Sequence, residues 1–178
     1  MEFVIDHDYH IHSQLSSCSN DPEQTAERIL AYAKANRYTS LCLTDHFWDE
    51  TVPGASNWYQ KQDYAHIKAA LPLPQEEGID FLFGAEVDMD RNGVIGISDK
   101  AADELAFIIV PTTHLHMKGF TIDETIGTES DSDIAYRADL YVKRWDTLLR
   151  ADLPFRKVGI AHLTCGLMCK GNARKVIQ

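Results

Sequence analysis

The chain has 178 residues, of which 44% are hydrophobic, and this suits one domain with a substantial core. The formal net charge of −10 argues against long-range attraction to nucleic acid, although a local cationic site could still bind phosphate. No apolar run is long enough to cross a bilayer, and the acidic segment 1–9 lacks the features of a signal peptide, so we expect neither.

The hydrophobic pattern predicts strands that alternate with helices. In chain order it gives strand 3–7, helix 22–36, strand 39–44, helix 58–71, strand 79–90, helix 99–105, strand 106–110, helix 134–151, strand 157–161 and a helix that begins at residue 172. Asp21-Pro22 is a typical helix start, and Asn92-Gly93 predicts a hairpin turn before a partner strand at 94–97. Residues 112–133 lack periodicity, which favours a functional loop that could cover a substrate.

Alternating strands and helices predict parallel βαβ units in a single domain. In barrels of such units, functional residues follow the carboxyl ends of several strands. All five predicted strands end in residues that can bind a metal ion: His10 and His12, Asp45 and His46, Glu86, His114, and His162. We therefore expect these side chains to meet in one metal site.

The individual signals differ in strength. His10 and His12 are separated by one residue, so they share one face of a strand and can grip the same ion. Glu86 closes an apolar strand, where a buried carboxylate needs a partner, and it could bridge two ions; the alternative is an exposed acid. Asp45 could be a ligand, orient His46 or carry a proton.

Other residues leave several roles open. His116 forms a second His-x-His pair with His114 and could support that ligand, contact the substrate or carry a proton. Lys170 and Arg174 could bind a substrate phosphate near a helix start or form a solvated basic face.

The four cysteines are Cys18, Cys42, Cys165 and Cys169. The last two are four positions apart, which is the wrong spacing for a CxxC zinc or redox pair. Because disulfides are rare in the cytosol, we expect four reduced thiols in a cytoplasmic protein.

The arrangement resembles the PHP (polymerase and histidinol phosphatase) family of metal-dependent phosphoesterases. The matching segments, in the family's order, are Asp8-Tyr9-His10-Ile11-His12-Ser13, Leu43-Thr44-Asp45-His46, Gly84-Ala85-Glu86-Val87-Asp88, Thr113-His114 and Ala161-His162. The resemblance implies an α/β fold, a distorted (β/α)7 TIM-like barrel, with two or three divalent ions at the carboxyl ends of its strands. It implies one ion on His10, His12 and Glu86, a second on Glu86, His114 and His162, and a third site that includes His46.

Two features depart from the family pattern. Many members carry another histidine several residues after His-x-His, and here Asp21 is the substitute that the sequence offers. Members also end in an Asp-x-His motif, whereas this sequence stops at Gln178 without one. The resemblance therefore implies a single barrel domain over 1–178 that is incomplete at its C-terminus, with the last strands and ligands missing.

The expected activity is hydrolysis of a small phosphomonoester by a metal-activated water, as in a histidinol phosphatase. Imidazole and carboxylate ligands suit zinc, manganese or iron, and the residues alone do not choose among them. Three alternatives stay open: a phosphodiesterase or nuclease, a metal-binding module without turnover, and a metal-dependent amidohydrolase. The expected partner is a small phosphorylated substrate, with no membrane and no nucleic acid, and the oligomeric state is open.

Overall fold

The structure is a computed structural model that describes residues 5–19 and 21–178. Its strands are β1 (His7–Ile11), β2 (Ser40–Leu43), β3 (His46–Phe47), β4 (Asp80–Phe83), β5 (Ala85–Val87), β6 (Ile108–Ile109) and β7 (Val158–Gly159). Its helices are α1 (Ala26–Ala35), α2 (Tyr64–Ile67), α3 (Asp99–Glu104), α4 (Asp131–Arg150) and α5 (Ala173–Val176). Residues 3 and 4 of the first predicted strand lie outside the described residues.

All the paired strands are parallel, as expected for α/β units. They form two sheets, one in the order β1-β2-β4 and one in the order β3-β5-β6-β7. The sheets are joined by the chain, because two residues separate β2 from β3 and one residue, Gly84, separates β4 from β5. Neighbouring strands within each sheet therefore follow one another in sequence order. This confirms a parallel α/β fold, while closure into a barrel stays a prediction.

Gly84 lies where the chain passes from β4 in one sheet to β5 in the other. Its amide donates to Leu43 O at 2.8 Å, and the next amide, that of Ala85, donates to Phe107 O at 3.1 Å. A Cβ atom on Gly84 would clash with Phe107 O and with the Cys42 thiol. The absence of a side chain thus lets the backbone at Phe107, just before β6, approach the chain between β4 and β5.

Two of the apolar clusters pack helices against the strands. One packs α1 against β2 and β4 through Leu30, Ala33, Leu41, Leu43 and Phe81. The other packs α2, α3 and the end of α4 against β3, β5 and β6, with Ile67, Leu105, Val87, Ile108 and Leu148 fully buried. These cores fix the strands, so the strand ends are held at set positions.

Several predicted elements need correction. Helix 22–36 is shorter than expected: α1 is capped by Thr25, which accepts from Arg28 N, instead of by Asp21. Helix 58–71 is broken into α2 and two short 3-10 turns at Tyr59–Lys61 and Lys68–Ala70. The hairpin turn at Asn92-Gly93 is present, but its return pairs only through the isolated bridge of Met89 with Ile95.

Helix α4 begins three residues earlier than predicted. Ser130 caps it by accepting from Asp133 N, and Asp131 and Asp133 favour the first turn because carboxylates stabilise the positive end of a helix. Within the described residues, no helix is both long and apolar enough to span a membrane.

Candidate metal centre

Glu86 lies at the centre of a polar cluster at the strand ends. Its side chain is 1% exposed, and its Oε2 atom lies 3.3 Å from His10 Nε2 and 3.1 Å from His12 Nε2. The same oxygen lies 3.3 Å from His46 Nδ1, and Oε1 lies 3.8 Å from His114 Nε2. His46 and Glu86 are direct partners in the register of β3 and β5. Four imidazoles, from the end of β1, from β3 and from the loop after β6, thus converge on one carboxylate of β5.

His162 completes the ring of histidines. Its imidazole centre lies 5.0 Å from that of His10 and 5.4 Å from that of His114. Its backbone φ of 44° falls in the left-handed region, which residues other than glycine rarely adopt. Such strained residues concentrate at functional sites. The structure therefore brings the residues predicted from all five strand ends into one place.

The side chains form two groups that match the predicted ligand sets. His10, His12 and Glu86 form one group, and Glu86, His114 and His162 form the other, with the potential ligand atoms of each group within 4.8 Å of one another. Among the described residues, Glu86 Oε1 and His10 Nε2 are buried and make no hydrogen bond. Buried polar atoms without a partner are costly, and a cation would satisfy both. The residues present therefore fit divalent metal ions.

Asp88 orients His114 by a hydrogen bond to the Nδ1 atom of its ring. The Asp88 carboxylate is fully buried, and its Oδ2 atom lies 2.8 Å from His114 Nδ1. It also accepts from Tyr59 OH at 3.2 Å and from Arg144 Nη2 at 2.9 Å. Because a carboxylate holds the proton on Nδ1, the Nε2 lone pair of a neutral His114 faces the cluster.

Arg144 ties α4 to the strand ends. Its buried guanidinium donates to the backbone carbonyls of Met89, Pro111 and Thr112 as well as to Asp88. These carbonyls belong to the segments that carry Glu86 and His114. The long helix thus helps to set the position of the site residues.

Ser16 and Asp45 fix the orientation of His12. Asp45 accepts from the Ser16 hydroxyl at 2.8 Å and from the amide and hydroxyl of Ser13 at 2.6 Å each. The Ser16 proton is therefore used, and its oxygen accepts from His46 N and from His12 Nδ1, both at 3.0 Å. This leaves His12 Nε2 as the free lone pair toward Glu86. Asp45 therefore contacts Ser13 and Ser16, and both of its carboxylate oxygens accept hydrogen bonds from these two serines.

Burial keeps two of the histidines, His46 and His162, neutral and so available as ligands, whereas the pKa of His114 is shifted in the opposite direction. Burial lowers the pKa of His46 to about 4, and burial also lowers the pKa of His162 below its ordinary value. For His114, burial acts in the same direction, but the hydrogen bond and charge of Asp88 outweigh it and raise the pKa. Burial opposes ionisation of Glu86, but His10 and His12 more than offset it and hold the pKa of the carboxyl well below its usual range.

The cluster forms part of the wall of a cavity of about 980 Å³. Trp58, Tyr59, Met117 and Phe120 contribute an apolar side, and Lys118 lies at its lining. The volume is suited to a small molecule. His116 also lines this cavity, with its ring 5.3 Å from that of His114, and partial burial lowers its pKa.

Three predicted residues lie away from the cluster. Asp21 is exposed, and its carboxylate accepts from Glu23 N at 2.9 Å instead of facing the histidines. Lys170 and Arg174 are exposed and do not line the cavity.

The sequence interpretation missed Cys18. Its thiol forms a third group with His12 and His46, again with ligand atoms within 4.8 Å of one another. The available signal was a thiol in the polar loop directly after the His-x-His pair.

Comparison with known proteins gives one family. The family model described as PHP domain matches residues 8–159. This range contains β1 from its second residue, all of β2 to β7, and every side chain of the cluster except His162. No curated protein matches the chain in a sequence comparison.

Proposed function

Because the chain belongs to the PHP domain family, we propose that it is a metal-dependent phosphoesterase that hydrolyses a small phosphomonoester. One observation carries the proposal: Glu86 is surrounded by imidazoles at the wall of a cavity of about 980 Å³. Members of this family are generally hydrolases that use metal ions. The cavity volume is consistent with a compact phosphorylated molecule.

The chain offers ligands for at least two ions. In this proposal His10, His12 and Glu86 hold one ion, Glu86, His114 and His162 hold a second, and His46 belongs to a third position. Nitrogen and carboxylate donors suit Zn²⁺, Mn²⁺ or Fe²⁺. When bound, such ions lower the pKa of a water and offset the charge of phosphoryl oxygens.

The protein's own groups then position the substrate and move protons. Lys118 lies at the cavity lining, where its ammonium can attract the phosphate. Trp58 and Phe120 exclude water from the leaving group's side. His116, whose lowered pKa keeps it neutral near pH 7, can accept a proton or return one to the leaving oxygen. We assign Asp45 the positioning of His12 through Ser16 in preference to proton transfer.

A pair of chromogenic esters tests the proposal. Protein loaded with Zn²⁺ or Mn²⁺ should hydrolyse p-nitrophenyl phosphate faster than bis-p-nitrophenyl phosphate, and His10→Ala should reduce the rate at least 10²-fold because a ligand is lost. The matched control is His7→Ala, since His7 lies on the same strand but is exposed and pairs with Asp6.

Two results would contradict the proposal. Turnover of the diester alone would favour a phosphodiesterase. A metal-loaded protein that hydrolyses neither ester, and in which His10→Ala changes only the melting temperature, would be a metal-binding module without turnover.

A further inference from the structure

Cys18 lies beside two histidines of the centre and lines the same cavity. Its Sγ atom and one ring nitrogen each of His12 and His46 lie within 4.8 Å of one another. We propose that Cys18 is a thiolate ligand, so that one position of the centre binds thiophilic metal ions. This inference rests on the metal centre of the proposed function and does not require phosphatase activity.

The loop that carries Cys18 is anchored by two hydrogen bonds just before that residue. The amide of the preceding residue, Ser17, donates to Oε1 of the buried Gln62 at 2.9 Å. His66 Nε2 lies 2.8 Å from Leu15 O. The backbone before Cys18 is therefore anchored, and the exposed thiol lies at the edge of the cavity.

The donor set differs from those of the other two groups. Those groups contain only imidazole and carboxylate, whereas this one contains one sulfur and two nitrogens. Zinc is bound by cysteine thiolate and by histidine nitrogen, and catalytic zinc sites keep one position open beside three protein ligands. Soft thiolate favours zinc over manganese or magnesium. We therefore expect the metal positions of the centre to differ in their donor atoms, with one position that selects zinc.

His12 limits how this position is filled. Ser16 occupies its Nδ1 atom at 3.0 Å, so Nε2 is the atom left for a metal. That atom can serve the group with His10 and Glu86 or the group with Cys18, but not both at once. Cys18 and His46 are thus the two ligands that the thiophilic position keeps, whichever group His12 serves.

Cobalt substitution tests the inference without an activity assay. Metal-free protein titrated with Co²⁺ should develop a thiolate-to-cobalt charge-transfer band in the near ultraviolet that saturates at one equivalent. Cys18→Ser should remove the band and weaken zinc binding at that position at least tenfold, as expected for a lost ligand. Cys18→His should restore zinc affinity without restoring the band, since it keeps a nitrogen donor.

Cys165→Ser is the matched control, because Cys165 contacts Thr113 and lies outside the three ligand groups. The control should keep the band. A band that persists in Cys18→Ser, or wild-type protein that binds metal ions without the band, would overturn the thiolate ligand alone. Wild-type protein that binds no divalent ion would overturn the metal centre of the proposed function as well.

Discussion

Glu86→Gln removes the one negative charge shared by both predicted ligand groups while keeping the shape of the side chain. The surrounding nitrogens lie 3.1 to 3.8 Å from its oxygens, so an ion held among them would be within about 4 Å of the lost charge. Unit charges at that distance interact by about 4 kcal/mol at an effective dielectric constant of roughly 20. A divalent ion should therefore lose affinity by at least about 10³-fold.

The assay is equilibrium dialysis of metal-free protein against Zn²⁺ or Mn²⁺, followed by elemental analysis. Because Glu86 belongs to both groups, two equivalents should be lost together. Glu76→Gln is the matched control, since Glu76 forms an ion pair with the exposed Lys34 far from the cluster. Loss of a single equivalent, or unchanged affinity in a folded Glu86→Gln protein, would refute the shared carboxylate.

Three further predictions concern two residues that support the ligands, Ser16 and Arg144, and the pKa of the ligand His114. Ser16→Ala should weaken metal binding about 10- to 100-fold, because His12 loses the group that orients it; calorimetric titration would show this, and an unchanged affinity would contradict it. Arg144→Met should lower the free energy of unfolding by about 3–5 kcal/mol, because Asp88 is left buried without its cation. Arg150→Met on the same helix should leave the stability in urea denaturation nearly unchanged, since its pair with Asp146 is exposed; equal costs would contradict the role of Arg144. The raised pKa of His114 stabilises the metal-free protein at low pH, and this stability is lost as the pH rises through that pKa. Metal affinity should rise over the same interval because binding needs the neutral ring, and an NMR titration midpoint for His114 at or below 6.5 would contradict the effect of Asp88.

Much of the site could be predicted because parallel strands place their carboxyl ends at one edge. The His10–His12 pair and the carboxylate of Glu86 at the end of an apolar strand were local signals that needed only this rule to bring them together. The direct pairing of His46 with Glu86 follows from the parallel register.

The remaining features depend on long-range packing. Asp21 was the predicted substitute for a histidine, but it bonds to its own turn, and Cys18 reaches the histidines because Gln62 holds the loop. In α4, Leu149 is 62% exposed although Leu148 beside it is fully buried, and the sequence pattern alone does not separate these two leucines. Periodicity identifies the apolar face of a helix, but it does not show how much of that face is covered by neighbouring elements.

The most direct test is a crystal structure of the protein soaked in Zn²⁺ or Mn²⁺, with anomalous difference density recorded at the metal's absorption edge. We expect separate peaks on either side of Glu86, one bounded by His10 and His12 and the other by His114 and His162. Peaks confined to surface carboxylates, with none beside Glu86, would contradict a metal centre at the strand ends.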